Sequence, residues 1–124
     1  MTHSKRRVAV TGIGMVTPVG NDTPSTWKAI LQGASGIGPI RSFDASGFPV
    51  RIGAEVKQFD FASPPAPSRP AQSANRSHHF ALAAAEEAIR DAGIAPDASS
   101  GPRWGCAVGA GMMGVDFAEL STVQ

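Results

Sequence analysis

The stretch Arg6-Arg7-Val8-Ala9-Val10-Thr11-Gly12-Ile13-Gly14-Met15-Val16-Thr17-Pro18-Val19-Gly20-Asn21 decides how the rest of the chain is read. Val8 to Val10 has the pattern of a buried strand, bounded by Arg7 before it and Gly12 after it. The run breaks into a Gly-x-Gly turn, then a Thr-Pro-x-Gly-Asn loop, and a helix follows. Two roles are open to these glycines. They can bring a backbone loop against the phosphates of a nucleotide, or they can let backbone pack tightly inside a core.

The spacing argues against the nucleotide. A dinucleotide-binding loop wants Gly-x-Gly-x-x-Gly directly between a strand and a helix, so that helix N–H groups face the pyrophosphate. Gly12 and Gly14 fit, but the third position is Thr17, Pro18 follows it, and the helix starts only at about Pro24. No acidic residue closes a second strand about 20 residues further on; Asp44 is the nearest and sits in a loop-like stretch. A Walker-type loop fails too, because no Gly-Lys-Ser/Thr occurs.

Outward from this stretch, helices and strands alternate, which predicts an α/β chain. Thr23 reads as the N-cap of a first helix with Pro24 at its first position. Trp27, Ile30 and Leu31 form one apolar stripe, and Gly33 supplies the stop. Ala34 to Pro39 is small and Gly-rich and reads as a loop. Ile40 to Phe61 contains strand-like pieces, the best being Val50 to Val56, with Ile52, Ala54 and Val56 on one face and Arg51, Gly53 and Glu55 on the other. Ser63 to Ser73 carries Pro64, Pro65, Pro67 and Pro70 and reads as a surface linker. The strongest helix is expected over Ser77 to Ala92, closed by Gly93. Its Ala81, Ala84, Ala85, Ala88 and Ala92 make a small-residue stripe suited to close approach, and Glu86 and Arg90 form an i, i+4 pair on the wet side. Trp104 to Val108 reads as a second buried strand leading into Gly109-Ala110-Gly111-Met112-Met113-Gly114, and Val115 to Val123 as a further helix.

Composition narrows the function classes. The chain has 124 residues, enough for one modest domain, and its 42% hydrophobic fraction suits a core rather than a disordered tail. With 11 basic and 10 acidic residues the net charge is +1, which gives no electrostatic case for nucleic acid or an anionic membrane. Cys106 is the single cysteine, so no internal disulfide framework exists and a reducing cytoplasm fits. The apolar run after Arg7 is too short for a signal peptide or a membrane span.

No catalytic constellation assembles from the side chains. Cys106 lies inside an apolar strand pattern, away from the helix N-terminus or basic partner that activates a thiolate, and reads as a small packing residue. His78 and His79 are adjacent and therefore about 100° apart on a helix, which is wrong for a shared metal. Glu86, Glu87 and Asp91 read as a solvated helix face. No cofactor and no metal site is expected.

The motifs taken together resemble one family. Val8 to Asn21, Ser25-Thr26-Trp27, Gly33-x-Ser35-Gly36-Ile37 and Phe43-Asp44 come in the order and spacing of β-ketoacyl-[acyl-carrier-protein] synthases. Val56-x-x-Phe59-Asp60, Ile89-Arg90-Asp91-Ala92-Gly93 and Gly109 to Gly114 continue the register over nearly the whole chain. The best match is the elongating type II branch. Modular polyketide synthases carry the same domain but usually open with a Cys-Arg-Phe-Pro loop where Thr17-Pro18-Val19-Gly20 stands here.

The resemblance implies a thiolase-like fold of two similar α/β halves, of which residues 1–124 would be the opening part of the first. It implies a decarboxylating Claisen condensation, with acyl carrier protein as partner and a homodimer as the assembly. The family nucleophile sits in a Thr-Ala-Cys-type motif, downstream of the region matched by Gly109 to Gly114, and two His lie further on. Cys106, His78 and His79 match none of these, so the chain alone is expected to be inactive. One position carries over: Met112 matches a residue beside the family's acyl pocket, where a flexible thioether can gate chain entry. The Pro-rich segment at about 63–73 departs from the family, whose members usually carry charged, partly helical residues there. Two rivals remain, a non-catalytic chain-length-factor subunit of a type II polyketide synthase and a nucleotide-dependent oxidoreductase.

Overall fold

The computed structural model describes residues 7–60, 75–95 and 97–111. The Pro-rich segment, Met112 and the helix expected over Val115 to Val123 lie outside these residues. The described elements run α1 (Thr23–Leu31), β1 (Ile37–Pro39), β2 (Ile52–Ala54) and α2 (Arg76–Asp91), with a 3-10 turn at Gly101–Arg103.

Both helices start and stop for reasons written in their flanks. The N-cap of α1 is Asp22 rather than Thr23: its carboxylate accepts the Ser25 N–H at 2.7 Å, so Thr23 becomes the first helical residue and Pro24 the second. At the other end Gly33 adopts φ +65, donates to the Ile30 carbonyl at 3.0 Å, and lets Ala34 reach back to the Ala29 carbonyl at 2.9 Å. Helix α2 ends the same way, with Gly93 at φ +64 bonded to the Arg90 carbonyl and Ile94 to the Ile89 carbonyl. Asn75 caps its start in a reciprocal box with His78, one residue earlier than expected.

The strand expectations need correction. Ile37–Pro39, read as loop, pairs antiparallel with Ile52–Ala54 in the register Ile37↔Ala54, Gly38↔Gly53, Pro39↔Ile52. Small residues at Gly38 and Gly53 do not forbid a ladder when a partner strand is available, here across the connection of residues 40–51. Val8 to Val10 and Trp104 to Val108, both read as buried strands, join no ladder among the described residues and lie open, with Val8 91% and Val108 68% exposed. The stripe of Trp27, Ile30 and Leu31 is exposed as well, and so are Ile52 and Ala54. Apolar patterning states which face wants cover; it does not supply the covering element. Among the described residues only Thr26 and Ala45 are buried.

One contact organises what is packed. The Gly12-Ile13-Gly14 backbone lies on the small-residue stripe of α2. A Cβ at Gly12 would overlap the Ala88 carbonyl oxygen and sit 2.8 Å from the Ala92 methyl; one at Gly14 would overlap the Ala84 carbonyl. The neighbours step back along α2 as the loop advances, so the two segments run antiparallel. Their repeats match: two extended residues span about 6.6 Å and four helical residues about 6 Å. The glycines therefore serve backbone packing.

Gly14→Ala is expected to cost about 1–3 kcal/mol through overpacking against the helix backbone. A urea titration followed by far-ultraviolet circular dichroism checks this. Gly47→Ala is the control, since a Cβ there meets nothing within 4 Å. Equal midpoints for the two variants would refute the contact. The open Val8–Val10 and Trp104–Val108 segments further predict concentration-dependent association of the 124-residue chain, visible in light scattering. A sharp, reversible, monomeric melt would contradict that.

Candidate functional site

The opening loop is the natural place to look for a ligand, and the Ile13 and Met15 donors are already engaged. The Ile13 N–H donates to Asp91 Oδ2 at 2.9 Å, and the Met15 N–H to Glu87 Oε2 at 2.8 Å. The other oxygen of Glu87 accepts the Thr23 N–H, the first donor of α1, at 2.7 Å. Asp22 takes the Ser25 N–H, and Pro24 has none to offer. A phosphate would have to displace two side-chain carboxylates from this helix start, so the nucleotide-dependent oxidoreductase has no anion cradle here. Glu87 and Asp91, expected on a solvated face, are instead the clamps between loop and helix. Of that trio Glu86 remains exposed.

The second half of the loop is a tight turn. Thr17 and Gly20 exchange backbone bonds at 2.8 and 3.2 Å across Pro18-Val19. The Thr17 and Thr26 hydroxyls both reach the Gly20 carbonyl at 3.2 Å and lie 3.1 Å from each other. This explains why a threonine, Thr26, is the most deeply buried side chain described, at 2% exposure: its polar atom is satisfied internally. Gly36 then fits beside Pro18 and Val19, with a notional Cβ 2.7 Å from the Pro18 Cβ.

Asn21 extends the same turn across the chain. Its side-chain amide donates to the Lys57 carbonyl at 3.0 Å and the Gln58 carbonyl at 3.2 Å. Gln58 takes φ 51, a left-handed conformation uncommon for a residue with a Cβ. The double tether from Asn21 holds that conformation. An open cleft of about 500 Å³ lies against the turn, bordered by Pro18, Asn21, Ser35, Lys57 and Gln58 among others.

The remaining sequence candidates are scattered. Cys106 is exposed rather than packed, because the strand meant to bury it has no neighbour among the described residues. His78 is committed to its cap: its N–H donates to Asn75 Oδ1 at 3.2 Å, and its Nδ1 lies 2.7 Å from the same oxygen. His79 is half-buried on the next position of α2. Met112 lies outside the described residues. Among the described residues no three His, Cys, Asp or Glu side chains gather as a metal site. No described helix is long and apolar enough to cross a membrane.

Several carboxylates are shifted by local hydrogen bonds. The Ser25 hydroxyl and N–H hold Asp22 below the usual aspartate range. Ser42 and Arg41 do the same for Glu55, which accepts their N–H groups at 3.0 and 2.9 Å. Asp97 is held down to about 2 by the Ser99 hydroxyl and by Ser100 at the mouth of the 3-10 turn. These are capping and turn interactions on the surface, and none forms a carboxylate pair suited to acid–base chemistry.

A glycine loop sealed by carboxylates is scaffold, and the comparisons name its family. The model of the β-ketoacyl synthase N-terminal domain matches residues 5–124. The chain belongs to the β-ketoacyl synthase family. It is 41% identical over 118 residues to the 3-oxoacyl-[acyl-carrier-protein] synthase 2 of Coxiella burnetii, covering 93% of this chain and 28% of that protein. It is 40% identical to the enzyme of the same name from Vibrio harveyi, covering 94% of this chain and 28% of that protein. It is 42% identical over 112 residues to the tetracenomycin polyketide synthase ketoacyl synthase beta subunit of Streptomyces glaucescens, covering 90% and 27%. The chain thus spans little more than a quarter of the length of these relatives.

In this ketoacyl synthase domain the residues that sequence reasoning missed are Glu87, Asp91, Asp22 and Asn21. A signal for the first two was present. They stand at i and i+4, interleaved with Ala84, Ala88 and Ala92, so they flank the face that receives the glycine backbone.

Glu87→Ala leaves the Met15 and Thr23 N–H groups without their acceptor and is expected to cost about 1–3 kcal/mol in urea unfolding. Asp22→Ala is expected to cost about 1 kcal/mol at neutral pH through the lost cap. Because the folded pKa of Asp22 is depressed, that contribution is complete above the ordinary aspartate range and disappears as pH falls through the lowered value. The gap between wild type and Asp22→Ala should therefore close on acidification. A gap independent of pH would mean that the charge of Asp22 contributes nothing.

Proposed function

We propose that this chain supplies the opening part of the first half of a thiolase-like β-ketoacyl synthase of the 3-oxoacyl-[acyl-carrier-protein] synthase 2 type. The reaction is the decarboxylating condensation of malonyl-carrier protein with an acyl thioester in fatty acid biosynthesis, in the cytoplasm. Acyl carrier protein is the substrate-bearing partner, and the full-length enzyme works as a homodimer. The observation that carries this reading is the 39–41% identity to proteins of that name over more than nine-tenths of the chain. The geometry supports a scaffolding part within it. The glycines of the opening loop and the α2 carboxylates that clamp it are spent on packing, and the single thiol, Cys106, stands exposed away from any activating group described.

Met112 is the one position with a proposed contact to substrate, as a gate beside the acyl pocket. A second reading has a specific support of its own, the 42% identity to the tetracenomycin ketoacyl synthase beta subunit. A chain-length-factor subunit shares the opening but replaces the nucleophile, so the residue at the Thr-Ala-Cys position of the full gene discriminates the two.

The 124-residue chain mixed with acyl- and malonyl-carrier protein is expected to give no condensation product; turnover abolished by Cys106→Ala would overturn the scaffolding role. Grafted in place of the matching opening of the Coxiella burnetii synthase, the chain is expected to restore condensation, and a folded but inactive chimera would count against the assignment. In that chimera Met112→Trp should shorten the acyl chains accepted. An unchanged product spectrum would reduce Met112 to ordinary packing.

A further inference from the structure

A second, larger cleft of about 760 Å³ lies between the β1–β2 hairpin and the start of α2, and three basic residues border it. Arg41 follows β1, Lys57 follows β2 and Arg76 opens α2, so three separate elements each place a basic residue on the wall of one cavity. Among the described residues on its lining the only acid is Glu55. Both of its oxygens already accept backbone donors, from Arg41 and from Ser42.

The three cations differ in how they are held. Arg76 is fixed: its Nη2 donates to the Val56 carbonyl at 2.8 Å, and its guanidinium carbon lies 5.3 Å over the Phe80 ring. Phe80 is itself braced edge-on by Phe59 at 4.9 Å. A guanidinium anchored through one nitrogen keeps its other N–H groups for a second acceptor. Among the described residues the Lys57 ammonium makes no hydrogen bond, while the Arg41 guanidinium also makes none but interacts electrostatically with Glu55. Lys57 is carried by the turn that Asn21 tethers, so its backbone is positioned even though its side chain is free to swing. Ser42 and Gln58 add neutral hydrogen-bonding groups to the same wall.

From this arrangement we infer that the Arg41–Lys57–Arg76 cleft binds a phosphate group, either free or as a monoester. A compact dianion with several acceptor oxygens matches one fixed guanidinium flanked by two adjustable cations; a monocarboxylate would leave one or more of them unanswered. The site is independent of the condensation chemistry proposed above, since it uses none of the residues assigned there.

The test is a ¹H–¹⁵N correlation titration of the 124-residue chain with inorganic phosphate at low ionic strength, with sodium chloride matched in a parallel series. The expected result is saturable shifts confined to Arg41, Ser42, Lys57, Gln58 and Arg76, with a dissociation constant on the order of a millimolar, as partly solvated charges allow. Arg41→Gln and Lys57→Gln are each expected to weaken binding about fivefold, while Lys28→Gln, an exposed cation on α1, leaves it unchanged. Phenyl phosphate binding as well as inorganic phosphate would identify a monoester site; binding of inorganic phosphate alone would restrict it to the free ion. Absence of saturation up to tens of millimolar phosphate, shifts spread over all cations alike, or full binding in the Arg41→Gln/Lys57→Gln double variant would overturn the inference.

Discussion

The seating of the opening loop in this chain depends on the approach of the Gly12-Ile13-Gly14 backbone to the alanine stripe of α2. Backbone can come that close to a helix only where neither side carries a side chain larger than a methyl. The dispersion and desolvation gained are modest for each atom and add up because the two repeats stay in step for a full turn and more. The cost of such a contact is that extended backbone presents N–H groups to a helix whose own carbonyls are already bonded. Glu87 and Asp91 answer that cost by reaching up from between the alanines and accepting the Met15 and Ile13 donors.

From this contact the remaining geometry is inherited. Glu87 also holds the first donor of α1, so the start of one helix is fixed by a carboxylate on the other. The Thr17–Gly20 turn is locked onto α1 through the shared carbonyl of Gly20, and Asn21 carries the order on to the Lys57-Gln58 turn. That turn borders both clefts. A polar chain of capping interactions therefore runs from the opening loop to the cationic cavity, with little apolar burial along it. In a protein whose apolar faces stand open, satisfied polar groups carry an unusually large share of the local order.

The open faces are as informative as the closed ones. Val8, Val10, Trp27, Leu31 and Val108 are patterned for burial and exposed in fact. The chain spans little more than a quarter of its relatives' length, and a sheet or helix face is covered by elements that are distant in sequence as often as by near ones. Local pattern and global cover are separate requirements, and this chain meets the first more fully than the second.

Read alone, the amino-acid sequence determined the family through seven motifs in register. It also determined both helices, their glycine stops and the failure of the Gly-x-Gly loop as a phosphate cradle, because each rests on short-range rules of spacing, capping and left-handed glycine geometry. It misplaced the cap of α1 by one residue, since Asp22 and Thr23 are both good caps and only the reach of Glu87 to the Thr23 N–H selects between them. It hid the Ile37–Pro39 strand, whose composition is that of a loop and whose ladder exists only through its partner. The roles of Glu87, Asp91 and Asn21, and the meeting of Arg41, Lys57 and Arg76, were decided by tertiary structure alone. Each depends on groups brought together from separate elements, and spacing along a chain does not encode distance across a fold.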